Sequence, residues 1–268
     1  MLKDITIGQY FAGDSLIHQL EPRAKLILVI AYIVALFNCK SISSYAVAVV
    51  FIIVCYILSG IRFKVALKSL RPIVPILIFT TVINLFFNTS GKILLQWGPL
   101  KLTDSGLIFA ITIMVRVCTL IIGTSLLTYT TTPIQLTGAI ERLLKPLGKL
   151  HFPVHEFGMM MTITLRFIPT LIEETDKIMA AQKSRGADFE SGNLLQKVKA
   201  MIPLLIPLFV SAFRRADDLA LAMECRCYHG GEGRTRMRKL QFAPRDFIAL
   251  VIGALMLAAV IVLKVLGI

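Results

Sequence analysis

Five apolar stretches constrain the fold of this chain more than any other feature of its sequence. They lie near Leu26–Asn38, Tyr45–Ser59, Ile73–Asn88, Gly106–Thr128 and Phe247–Leu266. A helix that crosses a bilayer needs about 20 apolar residues, within a tolerated range of about 17–25. The last two stretches are long enough by themselves, whereas the first two are short and suit a thin or tilted hairpin. The pattern predicts an all-α, polytopic membrane protein with about five transmembrane helices.

The composition agrees with a membrane protein and argues against other classes. Of the 268 residues, 56% are hydrophobic and 17% are charged, and the formal net charge is +13. A disordered chain is more polar than this, and a nucleic-acid-binding protein is normally polar as well as basic. We therefore expect no nucleic-acid partner. The positive charge is expected at the membrane surface, in contact with membrane lipids.

The distribution of Lys and Arg predicts the orientation of the chain. With a cytoplasmic N-terminus, 24 of the 29 basic residues fall on the cytoplasmic side and four outside, while Arg116 lies within the fourth span. The short connection between the second and third spans is the best evidence, because the positive-inside rule applies to short loops. It carries Arg62, Lys64, Lys68 and Arg71. We expect a multi-pass protein of the cell membrane with an extracellular C-terminus.

The region 130–246 is too apolar for a loop and too charged for further simple spans. Thr132 and Pro133 are typical of a helix start, as N-cap and N1 residues. Two long helices are predicted next, over about His155–Arg185 and about Leu194–Arg226. The sequence is therefore divided into an N-terminal cytoplasmic segment (1–25), four spans (26–129), a cytoplasmic helical region (130–246) and a last span (247–268).

The two long predicted helices resemble each other, and each ends in an arginine. Aligning Arg185 with Arg226 also places Asp176 opposite Asp217. One cation at a helix C-terminus is common, because it interacts favourably with the macrodipole. Two similar tips favour docking to a paired partner, since arginine is a frequent interface anchor. The predicted tips are Ser184, Arg185, Gly186, Cys225, Arg226 and Cys227.

Other polar groups give no sign of catalysis. The acidic and basic clusters on both long helices have the spacing of ion pairs within a helix. Cys225 and Cys227 with His229 lack the spacing of a zinc site. The phosphate-binding pattern G-x4-G-K-[ST] is absent from the sequence, so ATP hydrolysis would take place on another chain. The sequence predicts no catalytic residue, no metal site and no cofactor.

Arg116 near the middle of the fourth span is a candidate polar site, because an ionisable group inside a membrane marks a functional site by default. The five spans contain no Asp or Glu that would pair with it. Asn84 and Asn88 share a face of the third span and are candidate partners. The structural alternative is that the guanidinium hydrogen-bonds these two amides or backbone carbonyls, and both interpretations stay open.

Three parts of the sequence together resemble the transmembrane T component of energy-coupling factor (ECF) transporters, importers of vitamins and metals that are related to ABC transporters. The stretch Gly8–Lys25 is similar to the opening signature of that family. Arg166, Pro169 and Glu173 are similar to its central motif, and the two tips to its paired Ala-Arg-Gly motifs. The sequence departs from the family pattern at Glu21, Ser184, Cys225 and Cys227.

The resemblance implies an L-shaped protein with long coupling helices along the cytoplasmic face. Arg185 and Arg226 would sit in grooves on two ABC-type ATPase subunits, expected to be a heterodimer. An interchangeable substrate-binding S component would move with the coupling helices to release a vitamin or trace nutrient inside the cell, and the chain itself would be non-catalytic. The alternative is a polytopic membrane enzyme acting on a lipid substrate, whose acidic candidates are Glu173, Glu174, Asp217 and Asp218.

Overall fold

Most of the described backbone is helical, which confirms the all-α class. A computed structural model describes residues 10–39, 41–87, 93–97, 100–150, 153–189, 193–230 and 241–266. A 3₁₀ helix, Lys145–Leu150, follows α6. The α-helices are α1 (Pro22–Asn38), α2 (Ile42–Ser59), α3 (Phe63–Leu70), α4 (Val74–Phe87), α5 (Asp104–Thr130), α6 (Pro133–Leu144), α7 (Val154–Ser184), α8 (Leu194–Glu224) and α9 (Pro244–Leu266).

Each of the five predicted spans corresponds to a helix. By length and composition, α2, α5 and α9 suffice to cross a membrane, and α3 with α4 makes a further candidate that is bent by 64° at its break. The first span, α1, has 17 residues and is roughly 26 Å long, close to the lower limit. The α8 segment Leu195–Glu224 also passes this test. Our placement of α8 in the cytoplasmic region stays a prediction.

A short β-hairpin, which the hydropathy pattern did not predict, connects α4 to α5. Strand β1 (Ile93–Trp97) pairs antiparallel with β2 (Leu100–Thr103), and the register shifts between Ile93 and Leu95. Thr103 then begins α5, because its Oγ1 accepts a hydrogen bond of 3.3 Å from the backbone N–H of Gly106. The hairpin and this N-cap together set the start of α5.

The described residues pack as two compact units. The first lies within residues 8–139 and 239–268 and contains α1–α5 and α9, and we call it the membrane unit. The second lies within residues 140–238 and contains α7 and α8, and we call it the α7–α8 unit. Buried tyrosines link helices in the core of the membrane unit. Tyr32 donates to the carbonyl of Thr119 at 3.3 Å, and Tyr56 to that of Ile122 at 2.9 Å.

Two glycines allow helices of the membrane unit to approach closely. A methyl group on Gly123 of α5 would overlap the ring of Tyr32 in α1. A methyl group on Gly253 of α9 would overlap the end of the Leu28 side chain, also in α1. At both contacts a side chain of α1 packs against a glycine of the neighbouring helix. The absence of a Cβ atom at these glycines lets α5 and α9 approach α1 closely.

We expect Gly123→Ala to lower the free energy of unfolding by about 1–3 kcal/mol, because the added methyl forces a buried aromatic ring to move. The matched control is Gly138→Ala in α6, where a new methyl meets nothing within 4 Å. That control is expected to gain about 0.5–1 kcal/mol of helix stability. Thermal unfolding of both variants in detergent, followed by circular dichroism, measures the difference. A Gly123→Ala protein as stable as the control would contradict the close packing of α1 against α5.

Candidate functional site

The end of α7 is a hydrogen-bonded turn that presents Arg185. The backbone N–H of Gly186 donates to the carbonyl of Lys183 at 3.0 Å, and that of Ala187 donates to the carbonyl of Gln182 at 3.0 Å. This pair of bonds is a Schellman motif, which satisfies carbonyls that a helix end leaves without a partner. Gly186 has a φ of +87°, so it supplies the left-handed residue that the motif requires.

The end of α8 repeats the same turn around Arg226. Here the N–H of Cys227 donates to the carbonyl of Glu224 at 2.9 Å, and that of Tyr228 donates to the carbonyl of Met223 at 3.0 Å. Arg226 precedes the left-handed residue, as Arg185 does at the end of α7. Two helices of 31 residues each therefore end in the same backbone conformation, with an arginine at the same position.

Cys227 makes the second tip energetically different from the first. Its φ of +56° is the one positive value found at a non-glycine residue in the described part of the chain. A left-handed backbone costs an L-residue roughly 1–2 kcal/mol, whereas Gly186 avoids that cost. The departure from Ala-Arg-Gly at this position thus leaves the fold of the tip unchanged and adds strain to it.

The side chains of both tips face solvent. All six predicted tip residues are exposed, and the hydroxyl of Ser184 donates to the carbonyl of Ala180 at 3.1 Å. A guanidinium has five N–H donors in a planar fork that matches a carboxylate. Each tip therefore presents a cation at the end of a rigid helix, an arrangement that suits insertion into an acidic groove on another protein.

Among the described residues, an ion pair and a hydrogen bond connect α7 with α8. Nη2 of Arg215 donates to Oε2 of Glu174 at 2.9 Å, and Nε2 of Gln182 donates to the carbonyl of Pro203 at 3.4 Å. Along α7, Glu174 precedes Gln182. Along α8, the partner of Glu174 follows the partner of Gln182. The two helices therefore pack antiparallel.

The ion pair lies at equivalent positions of the two helices. Glu174 precedes Arg185 by 11 residues, and Arg215 precedes Arg226 by 11 residues. Eleven helical residues extend about 16 Å, so the tips point to opposite sides of the pair and reach up to about 33 Å apart. The spacing of these charges along the sequence had favoured pairs within each helix. Their opposite signs at aligned positions were the signal for a pair between helices.

The residues of the predicted central motif lie on α7, before the ion pair. The helix continues through Pro169, and Arg166 and Glu173 are exposed. Because Arg166 and Glu173 are seven residues apart, they lie on one face of the helix. The neighbouring Glu174 is half-buried and makes the contact with Arg215. The central motif therefore contributes an exposed face of α7, while the residue next to it contacts α8.

Among the described residues, the hydrogen bonds of Arg116 go to Tyr45 of α2 and to the end of α1. Its Nε donates to the hydroxyl of Tyr45 at 2.7 Å, and its Nη2 donates to the carbonyl of Cys39 at 3.3 Å. The amide of Asn84 donates to a carbonyl of its own helix, and Asn88 lies outside the described residues. These bonds match the structural alternative, in which the guanidinium satisfies a helix end.

The N-terminal signature forms a buried polar cluster in the membrane unit. Nζ of Lys25 donates to the carbonyls of Thr130 at 2.7 Å and His18 at 3.1 Å. The N–H of Glu21 donates to Oδ1 of Asp246 at 2.7 Å. The cluster joins the start of α1 to the end of α5 and the start of α9, which gives the signature a structural role.

Comparisons with known proteins agree with these features. Residues 13–237 match the CbiQ family, described as a cobalt transport protein. Relatives named energy-coupling factor transporter transmembrane protein EcfT match nearly the whole chain. The relative from Clostridium kluyveri is 54% identical over 250 residues, which are 93% of each chain. This chain belongs to the CbiQ/EcfT family.

Further members extend the match to both ends of the sequence. The EcfT protein of Ruminiclostridium cellulolyticum is 50% identical over 264 residues, 98% of each chain. That of Bacillus subtilis is 46% identical over 261 residues, 97% of this chain and 98% of its own. As a member of this family, the chain is a transmembrane component of an energy-coupling factor transporter.

The conformation of Cys227 predicts a stabilising substitution. We expect Cys227→Gly to stabilise the end of α8 by about 0.5–1 kcal/mol, since glycine removes the left-handed strain but has more freedom in the unfolded chain. Cys225→Gly is the matched control, because Cys225 has a right-handed φ of −60°. It should destabilise the same helix end by about 0.5–1 kcal/mol.

Hydrogen–deuterium exchange of peptides that cover residues 221–230 measures both effects locally. Slower exchange in Cys227→Gly and faster exchange in Cys225→Gly are expected. Faster exchange in Cys227→Gly would contradict the left-handed turn at the second tip.

Proposed function

We propose that this protein is the non-catalytic coupling subunit of an ECF-type importer, and that it transmits ATP-driven motion from two ATPase subunits to a substrate-binding S component. The observation that carries this proposal is the repeated turn at the ends of α7 and α8, which exposes Arg185 and Arg226 in the same way. Two tips with the same backbone conformation suit two similar partners, such as the two ABC-type ATPases of a heterodimer.

The proposed orientation follows the distribution of charge. The N-terminus and the region 130–246 lie in the cytoplasm, and the C-terminus is extracellular. The basic connection between α2 and α4 supports this arrangement, since α3 carries Lys64 and Lys68 and is flanked by Arg62 and Arg71. The ATPases then meet both tips on the cytoplasmic side.

The Glu174–Arg215 pair makes α7 and α8 act as one lever. The pair is half-buried and connects the helices at the same distance from each tip. When ATP brings the two ATPases together, the tips move with them, and the two antiparallel helices turn as a unit about this contact. The S component responds to that motion by releasing a vitamin or trace nutrient inside the cell.

The exposed apolar surface of α8 offers a place for the S component. Ile202, Ile206, Phe209 and Phe213 are exposed and recur at helical spacing along one side of the helix. In an apolar 18-residue stretch of this helix, only 6% of the residues are buried against the rest of the described structure. A surface of this kind needs a partner or lipid to cover it. Exposed Met160 and Met161 on α7 add flexible side chains that adapt to interchangeable partners.

Removing a tip arginine tests the docking step. We expect Arg185→Ala and Arg226→Ala each to lower co-purification of the ATPases at least tenfold, because a buried interface arginine that anchors a helix typically contributes about 2 kcal/mol or more. Lys199→Ala, an exposed cation near the other end of α8, is the control and should retain them. Unchanged assembly and uptake in the double arginine variant would contradict the proposal.

Exchanging the charges of the ion pair tests the lever. Glu174→Arg or Arg215→Glu alone places like charges together and should lower uptake several-fold per ATP hydrolysed, with the ATPases still bound. The double variant restores an attractive pair and should recover most of the uptake. Uptake and hydrolysis measured together in proteoliposomes separate coupling from assembly. A double variant no better than either single variant would show that the pair does not connect the helices in the working transporter.

A further inference from the structure

An apolar cavity of about 160 Å³ opens within the membrane unit among α1, α2, α5 and α9. Tyr32, Phe51 and Gly123 line one end of it, and Lys25 and Thr130 line the other. Lys25 and Tyr32 are seven residues apart on α1, so the cavity is about 10 Å long. A cavity of about 150 Å³ lined by apolar side chains holds a group the size of benzene. This one therefore has room for a short length of hydrocarbon chain.

The cavity is open towards the surface of the membrane unit. Leu58 of α2 and Ile252 of α9 line it. Their exposed fractions are 46% and 51% of the residue surface. Both helices are long and apolar enough to cross a membrane. Lipid tails would thus surround the opening, and an acyl chain would enter it without first crossing water.

Two cations, Lys25 and Arg245, lie at one end of this apolar space, beside the buried carboxylate of Asp246. Lys25 is buried and gives two N–H donors to backbone carbonyls, out of the three that an ammonium carries. On α9, Arg245 precedes the lining residues Ala249 and Ile252 by four and seven positions, so all three share a helix face. Arg245 is exposed, and its Nη1 donates to Oε1 of Gln19 at 2.7 Å. The remaining guanidinium donors suit a phosphate group.

We propose that this cavity binds one acyl chain of an anionic membrane phospholipid, with the phosphate at Arg245 and the chain directed towards Tyr32. The cavity wall offers water almost no hydrogen bonds, so an apolar acyl chain displaces water from it favourably. The negative headgroup complements Arg245 at the exposed end and lies close to the buried ammonium of Lys25. The site does not depend on the proposed coupling to ATPases.

A photoreactive lipid tests the proposal on the full-length wild-type chain. The protein is reconstituted in phosphatidylcholine vesicles that contain a small fraction of phosphatidylglycerol with a diazirine on one acyl chain. After illumination, mass spectrometry of the peptides identifies the attachment sites. We expect labelling of cavity residues on α1, α5 and α9, and unlabelled phosphatidylglycerol should compete at least tenfold better than phosphatidylcholine. Labelling spread over the outer surfaces of the helices would overturn the proposal.

Two variants separate the apolar and the charged parts of the site. Ala249→Phe fills the cavity and should reduce specific labelling at least tenfold, whereas Ala258→Phe makes the same change at an exposed position of α9 outside the cavity and should leave it unchanged. Arg245→Gln should remove the preference for phosphatidylglycerol, and the control Arg71→Gln, exposed beside α3, should keep it. Full labelling of Ala249→Phe, or an unchanged lipid preference in Arg245→Gln, would overturn the assignment.

Discussion

The carbonyl groups at the C-terminal ends of helices are the constraint on which much of this structure depends. A helix leaves its last carbonyls without an internal partner, and a largely apolar chain has few groups that satisfy them. Arg116 donates to Cys39 at the end of α1, and Lys25 donates to Thr130 at the end of α5. Lys264 adds a contact to the side chain of Asn38, also at the end of α1. Cations from other elements thus complete the ends of α1 and α5.

The ends of α7 and α8 meet the same constraint in a different way. Their Schellman turns satisfy the carbonyls with backbone N–H groups, so Arg185 and Arg226 are not needed for that purpose and face solvent. The guanidinium of Arg116 therefore has a structural role within the chain. Those of Arg185 and Arg226 are exposed and can bind another protein. This contrast supports a role in docking for Arg185 and Arg226 better than the presence of an arginine at a helix end does.

The antiparallel contact between α7 and α8 holds two similar helices together. Because Glu174 and Arg215 lie at aligned positions, the contact is the same number of residues from each tip. The strained residue Cys227 distinguishes the two tips, since the first tip has Gly186 at the same place. Two different ATPase subunits would meet tips that share a backbone conformation and differ in stability.

Much of the fold was predictable from the sequence alone. Apolar runs and helix-start residues depend on neighbours along the chain, so they indicated the spans, α7, α8 and the start of α6, where Thr132 and Gln135 form the capping box. The tip arginines were also evident from the sequence, because each of them ends one of two similar helical segments. Only the tertiary structure decided the partners of Arg116, the pair between Glu174 and Arg215, and the left-handed conformation of Cys227. Each of these depends on which helix surfaces meet or how a turn closes, and local sequence patterns do not encode that information.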